Sequence, residues 1–169
     1  MKATDLLKKQ HREVDKLFKA SLKTENAGTR RQLMDEIIAK LTVHTTIEED
    51  IFYPAVRALG TQKSEDMILE AVEEHHVVKL VLHELPEVDP AADTFDAKMT
   101  VLSELVKHHV EEEQDEMFPM AEKKLGADTL EDLADQMQAQ MKQLGEPKNR
   151  AAKPSLGVSD QGPPPLTPR

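Results

Sequence analysis

The chain has no cysteine and no tryptophan, and only one tyrosine and four phenylalanines among its 169 residues. Without cysteine there are no disulfides, no thiolate metal sites and no Cys-ligated iron–sulfur clusters. With so few rings (Phe18, Phe52, Tyr53, Phe95, Phe118), a core has to be built mainly from Leu, Ile, Val, Ala and Met. Also missing is any run of the roughly eighteen apolar residues that a membrane span requires. The stretch Met1–Leu7 turns charged too early for a signal peptide, so a cytoplasmic location is expected. Positive charge is in deficit: 22 Lys and Arg against 32 Asp and Glu leave a net charge of −10. Such a surface opposes nucleic acid and anionic membranes as partners. It is a favourable neighbour for metal cations.

What the sequence does hold is helical periodicity. Leu7, His11, Val14 and Phe18 recur at spacings of three and four in a first helix that Thr4 or Asp5 can cap and that runs to about Leu22. After the turn signal Asn26-Ala27-Gly28, a second helix from near Thr29 aligns Leu33, Ile37, Leu41, His44, Ile47, Glu48, Ile51 and Ala55. Pro54 should bend or break it, because proline cannot donate to the carbonyl of Asp50. Beyond Gly60-Thr61, with Ser64 as cap, a third helix carries Ile68, Ala71, Val72, His75, Val78 and Leu82 before Pro86 and Pro90. A fourth, capped by Asp93 or Thr94, carries Leu102, Leu105, Val106, His109, Glu113 and Glu116, and Gly126 closes it. An amphipathic segment from about Thr129 to Leu144 follows, with Leu130, Leu133, Met137, Met141 and Leu144 as its stripe. Six of the ten prolines fall in the last 25 residues, where no apolar period survives, and this tail reads as disordered. The expected fold is all-α: an up-down-up-down antiparallel four-helix bundle over residues 1–125, a short fifth helix over 126–144, and a disordered Pro-rich tail over 145–169.

The informative signal is a doubled motif. His44-Thr45-Thr46-Ile47-Glu48-Glu49-Asp50-Ile51-Phe52-Tyr53-Pro54 recurs as His109-Val110-Glu111-Glu112-Glu113-Gln114-Asp115-Glu116-Met117-Phe118-Pro119. His11 precedes the first copy and His75 the second at nearly equal distance, so each half reads His, then His-x-x-x-Glu. A His and a Glu four residues apart share one helix face. All six residues (His11, His44, Glu48, His75, His109 and Glu113) lie on apolar stripes and point to the bundle interior, whereas His76, His83 and His108 fall on the flank or rim. A single inward His is usually a hydrogen-bonded core residue. Six buried ionisable groups without partners would be costly, and metal explains them together. Imidazoles with carboxylates and no thiolates favour non-haem iron or manganese. Six donors exceed the needs of one tetrahedral zinc, and two carboxylates able to bridge suggest two ions. Those two carboxylates cannot neutralise two ferric ions, so an oxo or hydroxo bridge is expected. Coordination positions left open point to a small diatomic or peroxide ligand. The flanking acids Glu49, Asp50, Glu111, Glu112, Asp115 and Glu116 read as a solvated face. The Glu-x-x-His pattern of ferritin-like di-iron proteins fits once, at Glu73-Glu74-His75-His76, and with the less inward histidine.

At these residues the chain resembles the hemerythrin-like (HHE cation-binding) domain family: in Asp5-Leu6-Leu7-Lys8-Lys9-Gln10-His11-Arg12, in His44 to Pro54, in Glu74-His75-His76-Val77-Val78-Lys79 and in His109 to Pro119. The resemblance covers about residues 1 to 125. It implies a four-helix bundle around a non-haem di-iron centre with the six residues as ligands. Family roles include oxygen binding, sensing of oxygen, iron or redox state, and handling of nitric oxide or peroxide. Oxygen-carrying members place a fifth histidine where this chain has Lys79, which makes a reactive or sensory four-His, two-Glu site the expectation. Peroxide breakdown at the same site is the enzymatic alternative, and a metal-free helical interaction module the third. The oligomeric state is left open.

Overall fold

The computed structural model describes residues 1–145, and the Pro-rich tail lies outside them, apart from Gly145. The helices are α1 (Ala3–Lys23), α2 (Ala27–Ile47), α3 (Tyr53–Arg57), α4 (Gln62–Glu84), α5 (Asp93–Glu112), α6 (Phe118–Leu125) and α7 (Ala127–Leu144). Two π-helical turns, Glu48–Phe52 and Glu113–Met117, join α2 to α3 and α5 to α6 without a break. The bundle therefore has four long rods: α1, α2–α3, α4 and α5–α6.

Two apolar clusters stack along this bundle. One gathers Leu6 and Leu7 of α1, Phe52, Val56, Ile68, Ala71, Met117, Phe118 and, from α7, Leu130, Ala134 and Met137. The other gathers Val14 and Phe18 of α1 with Met34, Ile37, Leu41, Val78, Leu82, Met99 and Leu102. The N-terminal ends of α1 and α4 and the C-terminal ends of the other two rods share the first cluster. The four rods thus run up, down, up and down. On each rod the inward histidine falls between a residue of one cluster and a residue of the other, so the polar groups form one layer between two oily ones.

The structure departs from the sequence expectation at several points. Pro54 does not break its helix. The turn before it widens by one residue, and the N–H of Tyr53 reaches the carbonyl of Glu48. Widening relieves the clash between the proline ring and the carbonyl four residues earlier, so the chain continues as helix. The second copy does the same, with the N–H of Phe118 on the carbonyl of Glu113. Val72 and Leu144 fall on the predicted apolar stripes but are exposed, and Glu116, in register with the fourth stripe, is exposed as its place in the solvated acidic face implies. Thr61, not Ser64, caps α4, and the two side chains bond reciprocally across its first turn. Ala92 precedes α5, with Asp93 already inside it. The Asn26 side chain caps α2, accepting from the N–H of Thr29 at 2.9 Å. Gly126 takes φ +80° between α6 and α7, where a Cβ would be strained, and so lets α7 fold back along α1.

Candidate metal centre

The six inward residues meet in the layer between the clusters, and none is more than 6% exposed. The Nε2 atoms of His11 and His44 are 3.1 Å apart, and those of His75 and His109 are also 3.1 Å apart. Glu48 lies between the pairs: Oε1 is 3.2 Å from His44 Nε2 and Oε2 is 3.3 Å from His75 Nε2. Glu113 Oε2 is 3.2 Å from His11 Nε2 and 3.6 Å from His109 Nε2. Donor atoms fall into two groups close enough to hold one ion each, His11 with His44, Glu48 and Glu113, and His75 with His109 and Glu48. Glu48 belongs to both.

These donors fit metal ions on two counts. Both oxygens of Glu48 and Oε2 of Glu113 are buried with no hydrogen-bond partner among the described residues, a costly state for carboxylates unless a cation completes it. Two nitrogens each about 2.1 Å from one ion, at right angles, stand about 3.0 Å apart, close to the spacing of each histidine pair.

Behind each imidazole a polar side chain sets the ring. His44 Nδ1 is 2.8 Å from Gln10 Oε1, His75 Nδ1 is 2.8 Å from Glu49 Oε1, and His109 Nδ1 is 2.7 Å from Glu74 Oε2. An oxygen there can only accept, so Nδ1 carries the proton and the Nε2 lone pair faces inward. His11 Nδ1 is 3.1 Å from Gln114 Nε2, and ligation through His11 Nε2 requires that amide turned over so that its oxygen takes the place of the nitrogen. These four partners sit at equivalent places in the two halves: the residue before the first His (Gln10, Glu74) and the residue after the Glu (Glu49, Gln114). The chemistry differs between pairs. His11 and His44 are backed by neutral amides, His75 and His109 by carboxylates. The expectation that Glu49 belongs to a solvated face is therefore corrected. It is half-buried, bound to His75, and shared with Lys79 Nζ at 2.6 Å. Lys79, at the place of a fifth histidine, thus braces the ring rather than the metal.

Tyr53 stands in the first copy of the motif, where spacing alone gives it no role. Its hydroxyl donates to Glu113 Oε1 at 2.9 Å and lies 3.2 and 3.4 Å from the Nε2 atoms of His75 and His109. With Oε1 so engaged, Glu113 faces the centre with one oxygen, not the two that a symmetric bridge would use. The signal was present: Tyr53 is the sole tyrosine, at the position before proline where the second copy has Phe118. The two rings play matching packing roles, Tyr53 stacking on His75 and Phe118 on His11. His76, His83 and His108 lie on the surface, as expected.

Electrostatics divide the two buried carboxylates. Burial and the neighbouring Glu113 push the Glu48 carboxyl well above the usual range. For Glu113 burial acts in the same sense, but the imidazoles of His109, His11 and His44 outweigh it and hold its pKa down. Burial and His11 push His44 well down. Burial would also lower His109, yet Glu113 and Glu74 overcome it and raise it. The Tyr53 phenol is pushed up by burial and by Glu113.

Residues 2–121 match the Hemerythrin HHE cation binding domain. The chain belongs to that family and is a cation-binding hemerythrin-like protein. It is similar to the crystal structure of a Hemerythrin HHE cation binding domain-containing protein from Mycobacterium kansasii, with a TM-score of 0.74 and 27% identity over 85% of this chain and 87% of that one. An uncharacterized protein of Mycobacterium tuberculosis is 31% identical over 146 residues, 85% of this chain and 88% of its relative. A protein of Nostoc sp. named DNA nickase is 24% identical over 82% of this chain, which spans only 39% of that relative's length.

Proposed function

We propose that the centre holds two iron ions, with His11, His44, Glu48, His75, His109 and Glu113 as ligands, and that the protein binds or reacts with a small oxidant (dioxygen, peroxide or nitric oxide) in sensing or stress defence. The observation that carries this reading is Glu48, buried, unpartnered, and directed by one oxygen to each histidine pair. Iron bound there would supply redox and ligand-binding chemistry. The chain's own residues decide what can reach it. A cavity of about 20 Å³ beside His11, His44, His75 and His109 is lined by Val14, Leu41, Val78, Val106 and Val110. That is room for about one water-sized molecule. Its apolar wall suits a diatomic or peroxide better than an organic substrate. Gln10, Glu49, Glu74 and Gln114 fix the imidazole rings, and Tyr53 keeps a proton on Glu113 Oε1's side of the centre.

Peroxide breakdown is the second reading, favoured by the Tyr53 hydroxyl, a proton-bearing group within the donor set. The nickase name concerns a relative much longer than this chain, and the net charge of −10 opposes a nucleic-acid role. The test is metal content per chain in freshly purified protein, with optical spectra before and after peroxide. Close to two irons with near-ultraviolet absorption supports the reading; one zinc, or no metal after iron supplementation, refutes it. Steady oxygen release from peroxide by the iron-loaded protein alone would select the enzymatic version.

A further inference from the structure

A second cavity, of about 80 Å³, lies against the same layer and is lined by Met67, Glu70, Ala71, Glu74, His109, Glu112, Glu113, Glu116 and Met117. His109 lines both cavities, but where the first is walled by valines this one is walled by acids. At its outer side stand Glu74, His108 and Glu112, whose donor atoms are grouped closely enough to hold a cation. His108 Nε2 is 3.3 Å from Glu112 Oε1 and 3.6 Å from Glu74 Oε1, and its side chain is 64% exposed. At the inner side is Glu113, 1% exposed, whose Oε2 has no hydrogen-bond partner. Glu74 joins the two ends: Oε1 turns toward His108 while Oε2 holds the ring of His109. At the rim Glu116 is paired with Lys63 at 2.9 Å.

We propose that this acidic cavity is the route by which divalent cations reach the buried centre, and that Glu74, His108 and Glu112 form an outer capture site on it. A hydrated cation gives up its waters only as other oxygen and nitrogen donors replace them. The two apolar clusters on either side of the buried layer make a poor approach for a hydrated ion. The acidic cavity offers a graded one: exposed carboxylates that concentrate the cation, an imidazole with two carboxylates that exchange for part of its hydration shell, then the unpartnered oxygen of Glu113. The small apolar cavity is left to the neutral ligand, so ion and oxidant come to the centre by different paths.

The inference rests on the metal-centre reading above, and the experiment separates the two. Full-length chain stripped by a chelator is mixed anaerobically with ferrous ion, and uptake is followed in time for wild type, for the double variant His108→Gln with Glu112→Gln, and for Glu131→Gln on α7 as control. Both altered positions are at the surface, so folding is retained. The double variant should load about tenfold more slowly, since charged clefts raise encounter rates by about 10- to 1000-fold. It should end at the wild-type metal content, while the control loads at the wild-type rate. Protein already loaded at the centre should bind one further cobaltous ion per chain, and the double variant none. Loading of the variant at the wild-type rate would overturn the route; a lower final content would assign these residues to the centre itself and also overturn it. No uptake by wild type would instead bring down the metal-centre reading.

Discussion

A buried carboxylate has two very different energies according to what lies beside it, and Glu48 shows both. In metal-free protein its folded pKa stands well above the unfolded value, so the native state holds a proton that the unfolded chain releases. That contribution is fully present below the unfolded value and is lost as pH rises toward the folded one. Glu48→Gln removes the loss. We expect metal-free E48Q to melt above metal-free wild type by an amount that grows from pH 5 to pH 7, yet to hold at most one ion per chain. Thermal melts and metal analysis check the two halves of this. Outer partners act through the rings they hold. Glu49→Gln should weaken the ion at His75 and His109 by about 10- to 100-fold, the usual scale for losing such a partner, and leave the other position nearly unchanged. Sequential titration of the stripped protein with ferrous ion would show two affinities drawn apart; equal loss at both positions would count against separate sites.

Among the elements, the π-turns are the devices that the periodicity conceals. Each opens on a glutamate of the centre and ends two residues before a proline. Adding one residue to the turn shifts the register, so that Phe52, Tyr53 and Val56 are all buried after Glu48. Pro119→Ala restores a donor and removes the ring that holds the turn open. We expect a folded protein with weaker metal binding by chelator competition, because the turn beginning at Glu113 can then tighten. Helix α7 carries none of the six central residues, yet Met137 is fully buried in the cluster with Leu7 and Phe52. Met137→Ala should cost about 2 to 4 kcal/mol in denaturant melts, the range for a large-to-small change in a packed core, with metal stoichiometry unchanged.

For the whole molecule, the polar layer is the weak plane of the bundle until cations fill it. Binding that favours the folded state adds about 4 kcal/mol at free metal a thousandfold above the dissociation constant. Each ion loaded at that excess should therefore raise the melting temperature by roughly 8 to 16 °C at neutral pH, at about 2 to 4 °C per kcal/mol. The increment must shrink as pH falls, because Glu48 and His109, both shifted upward, have to lose protons to bind. Calorimetric titration in buffers of different ionisation enthalpy should register protons released on loading. A melting increment independent of pH would show that neither group titrates with the metal.

Much of this was legible in residue order. The spacing of Leu7, His11, Val14 and Phe18, and of His44 with Glu48, determines which face each side chain occupies, since a helix turns by a constant angle per residue. Two such halves leave few ways to bury six polar groups other than together. The fold class and the six central residues followed from local geometry alone. What order could not decide is what depends on approach between elements. Glu49 and Glu74 look like members of acidic runs, and only the packing of α4 against the other rods sets them behind His75 and His109. Tyr53 reaches the carboxylate of Glu113 only because the π-turn rotates it inward by about one residue's worth of helix, a shift that no apolar period records. The route through Glu74, His108 and Glu112 likewise joins residues from two helices, and distances between helices are fixed by packing, not by sequence spacing.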